Sequence, residues 1–354
     1  MRWPNALRWK GSVIPRILPK LIFFLLWSAL WTCLHQLLQP HVNFSLSPSL
    51  ITILGIVTGL LLVFRTNTAY DRYWEGRRLW SNMVVAIRNL TRQIYVSAKG
   101  TSTHELDEKR SAIRLLMGFA AAVKHYLRQE YGPNYEDVLP YIQHLKKYNM
   151  PSSVEPLTED QLIEREEEHS HSRRSIDINQ AIKSNLPLEL TLYIGAYMQF
   201  LRDHGRVEPP LLNVMITTLN QLVDSLTGYE RILRTPIPLA YSIHLSQTVW
   251  VFCLALPFQL LGSLGWVTIP AVVISAFTLF GIESIGGEIE NPFGYDDNDL
   301  PLDDFCRVLR REIEVSTSID PPKVDDWIIA NAGPKSQSLT RSQTPAQIEI
   351  ISKP

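Results

Sequence analysis

Residues 62–80 read LVFRTNTAYDRYWEGRRLW and follow an uncharged run from Ser49 to Phe64 that is apolar enough to enter a bilayer. Polarity flips at Arg65, yet no Pro, Gly pair or turn residue ends the helix there. Beyond the flip, Ala69, Tyr73, Trp80, Val84, Ile87, Thr91 and Ile94 recur at steps of three, four and seven, the spacing of one packed helical stripe. The helix is therefore expected to leave the membrane without ending. One continuous rod would then tie a membrane span to a bundle in water.

Three more apolar stretches surround this one. The first span runs roughly from Ile17 to Leu38, the third starts at Leu239 and the fourth at Trp266. Each approaches the ~20 residues that a bilayer core requires. The first exceeds a signal-peptide core and lacks a small-x-small cleavage site, so it reads as a span. The second is the shortest, which suits a helix lining the inside of an assembly. Arg2, Arg8, Lys10, Arg16 and Lys20 precede or open the first span, and Arg65, Arg72, Arg77 and Arg78 follow the second. The short connections QPHVNFSLSP and LGSLGW carry no charge. Positive charge marks the cytoplasmic side, so both termini and the middle of the chain are expected there.

The expected fold class is an all-α membrane protein with four transmembrane helices continuing into a cytosolic helical bundle. Residues 1–64 hold the N-terminal segment and two spans, 65–235 a cytosolic helical region with an insert about 151–175, and 236–290 the other two spans. An acidic loop and helix follow over 291–332, then a Ser-rich tail over 333–354 expected to be disordered. Amphipathic helices from Ser111 and from Pro210 are expected to build the bundle. The second of these aligns Leu212, Met215, Leu219, Leu222, Leu226 and Leu233 on one side.

Composition excludes several classes. The 34 basic and 35 acidic residues leave a formal charge of -1 and a pI near 6.8, without the basic stripe of a nucleic-acid binder. Mean hydropathy of -0.01 averages apolar ends with a charged middle. Cys33, Cys253 and Cys306 are too scattered for a zinc site or disulfide framework and read as reduced, buried apolar residues. No GxSxG, P-loop or HExxH occurs. His169 and His171 lie in the charged insert, a poor setting for a metal.

FRTNTAYDRYWEGRRLW and IENPFGYDDNDLPLDDF, with RWKGSV near the N-terminus and PIPLAYSIHL opening the third span, resemble the bestrophin ion channels, particularly their bacterial, plant and fungal branch. The resemblance covers about residues 5 to 315. It implies a homopentamer around one axial pore, with a narrow apolar neck and a wide cytosolic vestibule. By motif the neck falls on Ile56, Leu60 and Phe64, and a second, cytosolic constriction on Leu211 and Leu212. Read without the resemblance, the three neck residues are ordinary packing positions. Gly55 and Gly59, at GxxxG spacing, would allow close helix approach behind the pore face.

Five Asp residues between Asp296 and Asp304 invite a calcium reading, since hard oxygens suit that ion. The loop is no EF-hand. In animal bestrophins the matching stretch clasps calcium, which puts Asn291, Asp296 and Asp299 at ligand positions. This sequence departs from that branch at Glu288 and at Asn298, which interrupts the acidic run. Two structural alternatives stand beside it. Pro301 and the acidic residues suit the start of a helix through LDDFCRVLRREI, and some carboxylates would pair with Arg72, Arg77 or Arg78. Glu283, Glu288 and Glu290, at the end of the fourth span, should face protein or water.

The leading expectation is a passive channel for chloride and similar monovalent anions in the plasma membrane, requiring no cofactor. An apolar neck does not choose a sign of charge, so a monovalent-cation channel is the alternative. A membrane-bound metal-dependent enzyme and a non-conducting scaffold are the other classes.

Overall fold

The computed structural model describes residue 9 and residues 11–38, 48–148 and 185–322. The connection over 39–47, the insert about 151–175, His169, His171 and the tail lie outside the described residues. Among the described residues the chain is helical, without strands. Three segments are long and apolar enough to cross a membrane: Ile14–Leu38, Ile51–Ser97 and Leu239–Glu288.

The last segment is folded as two helices. α1 is Ile14–Leu38 and α2 is Pro48–Arg92; α7 (Leu239–Leu264) and α8 (Thr268–Glu288) come at the end of the apolar half. A 3₁₀ turn at Gly265–Val267 separates α7 from α8, and Gly265 at φ 54° supplies the left-handed conformation that ends α7. The two then lie side by side, with Trp250 of α7 5.4 Å from Phe280 of α8. Phe24 of α1 completes the cluster at 5.3 Å from Trp250 and 5.5 Å from Phe280. Hydroxyls along the spans return to their own helices: Ser28 donates to Phe24 O, Thr32 to Ser28 O, Thr58 to Leu54 O and Thr66 to Leu62 O. Each polar group is thereby satisfied without water.

α2 spans 45 residues without a break through Arg65. It ends in a π-helical turn at Gln93–Ser97, and the buried ammonium of Lys109 donates to Tyr95 O in that turn at 3.4 Å and to Ala98 O and Gly100 O just after it at 2.6 and 3.0 Å. The expected stripe is inside: Ala69, Trp80, Ile87, Thr91 and Ile94 are buried, with Tyr73 and Val84 packed partly against the core.

The second half of the molecule is built on α3 (Thr103–Leu127), α4 (Leu139–Ile142), α5 (Leu186–Asp203), α6 (Pro209–Arg234) and α9 (Leu302–Ser316). α3 starts earlier than the apolar run from Ser111, because Ser102 and Glu105 form a reciprocal capping box. Every residue from Leu115 to Leu127 is buried, so α3 is the centre of this bundle. α5 was not anticipated; it packs on α3 and α6 and is capped by Asn185, which accepts from Leu188 N at 3.1 Å. On α6, Ile232 takes the core position and Leu233 is half-buried, a one-residue correction to the expected stripe. Tyr229 of α6 meets Trp80 of α2 and Phe293 of the acidic loop in one aromatic cluster.

Candidate functional site

The membrane half of α2 presents one unpacked face. Ile56, Leu60 and Phe64 are 69%, 55% and 56% exposed, whereas Ile51, Thr58 and Leu62 on the other side are buried against the neighbouring spans. Gly55 lets α7 come close there: a Cβ at this position would meet the Phe252 ring at 3.1 Å. Gly59 does not share that role, since a Cβ would meet nothing within 4 Å. The expected GxxxG contact is thus carried by one glycine. An apolar surface of this kind offers a passing ion nothing to replace its hydration shell.

Where α2 leaves the apolar layer, its basic residues are tied to the ends of other helices. Arg65 lies 3.8 Å from Glu290, and Lys20 of α1 donates to Glu283 of α8 at 3.3 Å. Arg72 donates to three carbonyls: Ile232 O at 2.6 Å and Thr235 O at 2.5 Å at the C-terminus of α6, and Glu290 O at 3.0 Å. It therefore caps α6, whose last carbonyls carry the negative end of the helix dipole. Arg77 donates to Ser81 and lies over the Phe305 ring. None of these arginines reaches an acidic-loop aspartate, a correction to that alternative.

The aspartates have other partners. Arg16 of α1 donates to Asp296 at 2.7 Å and to Glu288 at 3.1 Å, while Asn298 donates to Glu288 at 2.8 Å and to Gly11 O at 3.1 Å. Asp299 accepts from Asp296 N at 2.9 Å through one oxygen, and its other oxygen is buried without a hydrogen bond. Burial, with Asp296 and Glu288 nearby, pushes its carboxyl up to about 6. A calcium site needs six to eight oxygens converging at about 2.3–2.6 Å. Asn291, Asp296 and Asp299 do not fit that ion: Arg16 already occupies Asp296, Asn291 is exposed, and one orphan oxygen makes no cage. Among the described residues no three His, Cys, Asp or Glu side chains gather as a metal site.

Below the loop a closed circuit of side chains binds α9 to α3. His125 bridges Glu130 through Nδ1 and Asp137 through Nε2, the latter at 2.7 Å, and stacks on Tyr135. Lys124 donates to Asp137 and Asp303, both at 2.7 Å, and Arg128 to Asp303 at 2.7 Å. Tyr295 closes the circuit, donating to Glu130 with Arg128 stacked 3.9 Å above its ring. Burial opposes charge on His125, but its bonds to Asp137 and Glu130 outweigh that and raise its pKa. Asp303 is likewise held at about 2, because the Arg128 and Lys124 bonds overcome its burial. With His125 protonated, three cations face three carboxylates.

A family model for bacterial and fungal bestrophins matches residues 2–315. The chain belongs to the bestrophin family. A voltage-dependent anion channel-forming protein of Nostoc sp. is 43% identical over 317 residues, covering 89% of this bestrophin and 92% of the relative. One from Synechocystis sp. bearing the same description is 39% identical over 324 residues, 90% of this chain and 93% of its own. Among solved structures, a bacterial bestrophin homologue from Klebsiella pneumoniae superposes with a TM-score of 0.67 at 28% identity, over 86% of this bestrophin and all of that chain.

In this bestrophin the second constriction is not supported at Leu212, which is buried in the core of the helical bundle, and Leu211 is half-buried against the same core. Motif matching placed the helix start but not its rotation; the exposed apolar residue on this turn is Val214. Cys253 is buried, Cys306 half-buried with its thiol pushed up to about 12, and Cys33 exposed, against the expectation of burial for all three. His125, Lys124 and Asp137 went unnoticed in the sequence, because their circuit joins residues up to 179 positions apart.

Proposed function

We propose that this bestrophin is a passive anion channel, conducting chloride and similar monovalent anions through a homopentamer with four crossings per subunit and both termini in the cytoplasm. The carrying observation is the face of α2 that holds Ile56, Leu60 and Phe64: it stays open in the single chain while the rest of the helix is packed. The anion channel-forming descriptions of the Nostoc and Synechocystis relatives support a channel over an enzyme or scaffold.

Repeated around an axis, these side chains form an apolar neck that dewets when narrow and conducts when wide. Phe64 adds the positive edge of its ring toward an anion. The acidic loop in this reading is set by Arg16 rather than by calcium, and the channel needs no cofactor. The plasma membrane is the proposed location.

The test is the reversal potential of purified protein in planar bilayers under a potassium chloride gradient, with Leu60→Ala and Phe64→Ala alongside. Reversal near the chloride potential, with larger currents in both variants, is expected. Reversal near the potassium potential would instead assign a cation channel, and no current in any variant would remove the channel reading.

A further inference from the structure

The open face of α2 continues below Phe64 with a different chemistry. Asn67, Asp71 and Arg78 follow on it, and all three are exposed. At about 100° per residue, Ile56, Leu60, Phe64, Asn67, Asp71 and Arg78 fall within an arc of roughly 80°, with Trp74 at its edge. Among the other charged residues of α2, Arg65 is engaged with Glu290, Arg72 with three carbonyls, Glu75 with Arg231, Arg77 with Ser81 and Arg88 with Glu312, while Arg92 at the far end of the helix is exposed on this same face. Asp71 and Arg78 have no hydrogen-bond or ion-pair partner among the described residues. Neighbouring elements engage the charges on the other sides of this rod, so Asp71 and Arg78, the unpaired charges nearest the proposed neck, share one line with it.

We propose that Asp71 is a specificity-determining residue of the conduction path and Arg78 a conductance-setting one, the carboxylate restraining anion preference and the guanidinium concentrating anions further in. This rests on the reading of Ile56, Leu60 and Phe64 as the neck. Seven residues of helix separate Phe64 from Asp71 and seven more separate Asp71 from Arg78, each step about 10 Å along the axis. The screening length at physiological salt is about 8 Å. Asp71 therefore acts on an ion emerging from the neck, whereas Arg78 lies beyond two screening lengths from Phe64 and acts on the local ion supply. In a homo-oligomer each position becomes a ring of like charge, which enlarges the effect of one substitution.

The experiment is the chloride-to-potassium permeability ratio from reversal potentials of the full-length protein, for wild type, Asp71→Asn, Asp71→Glu, Arg78→Gln and Leu60→Ala. Asp71→Asn is expected to raise the ratio about three- to fivefold, the size of one close charge interaction in water. Asp71→Glu should restore the wild-type ratio. Arg78→Gln should leave the ratio in place but lower chloride conductance at low salt, an effect that fades near 1 M, where the screening length is about 3 Å. If Leu60→Ala enlarges the current while Asp71→Asn leaves the ratio unchanged, the proposal is wrong and the neck stands. If neither variant differs from wild type, the neck assignment falls and the proposal with it.

Discussion

The Arg16 guanidinium of the first helix donates to the Asp296 carboxylate at 2.7 Å across 280 residues of sequence. This pair, with Glu288 on the same guanidinium at 3.1 Å, fastens the N-terminal end of α1 to the loop that follows the last span. It supplies inside the chain the positive charge that a divalent ion would otherwise bring.

Calcium should therefore be immaterial to the loop. Currents and melting temperature of the wild type are expected to be the same in millimolar calcium and in chelator. Arg16→Ala should destabilise by about 1–2 kcal/mol, since Glu288 is mostly buried while the Asp296 partner is half-exposed and screened. A calcium-dependent melting shift in the wild type would refute the assignment.

His125 gives the fold a dependence on pH above the ordinary imidazole value. Its pKa is raised in the folded state, so its contribution is complete below the ordinary imidazole value of about 6.5 and is lost as pH climbs through the raised one. The melting temperature should fall across that window, and His125→Gln should flatten the fall. Asp137 and Asp303, held low by the same circuit, act at the opposite end: their contribution disappears only in strong acid. A profile for His125→Gln parallel to that of the wild type would count against the circuit.

Arg72 is irreplaceable by lysine if its fork is what matters. One ammonium cannot span Ile232 O, Thr235 O and Glu290 O as the planar guanidinium does. Arg72→Lys should cost about 2 kcal/mol, read by thermal unfolding in detergent, and expose the end of α6 to hydrogen exchange. Unchanged exchange at residues 232–235 would rule the cap out.

The two glycines of α2 should respond oppositely to alanine. Gly55→Ala pushes the Phe252 ring and is expected to lower stability by about 1–2 kcal/mol. Gly59→Ala meets no atom within 4 Å and should be neutral or stabilising by up to about 1 kcal/mol, the helix-propensity gain. Equal effects of the two would mean that the α7 contact does not depend on Gly55.

Local features were readable in the sequence because they are set by neighbours in the chain. The persistence of helical period beyond Arg65 and the start of α7 at Leu239 follow from spacing, whereas Ile56, Leu60 and Phe64 stand out only through the family resemblance, since spacing alone makes them ordinary packing positions. α5 escaped although Leu190, Ile194, Met198 and Leu201 recur at steps of four and three, because Leu188 and Leu192 on its exposed face are apolar as well and blur the stripe. The start of α3 escaped because a capping box, not an apolar run, defines it. Partner choice was least legible: nothing local says that Asp296 takes Arg16, that Asp303 takes Lys124 and Arg128, or that Leu212 rotates into the core. Those outcomes depend on which helices the bundle brings together.

An unbroken α2 also has a mechanical consequence. Pivoting at Arg65, where Glu290 fastens it, the rod has a long arm of about 40 Å to Arg92 and a short arm of about 13 Å to Ile56. Any swing of the Arg92 end reaches the apolar end geared down about threefold. Coarse displacement of the bundle would then translate into sub-ångström to ångström adjustment of an aperture, the scale on which wetting turns on and off.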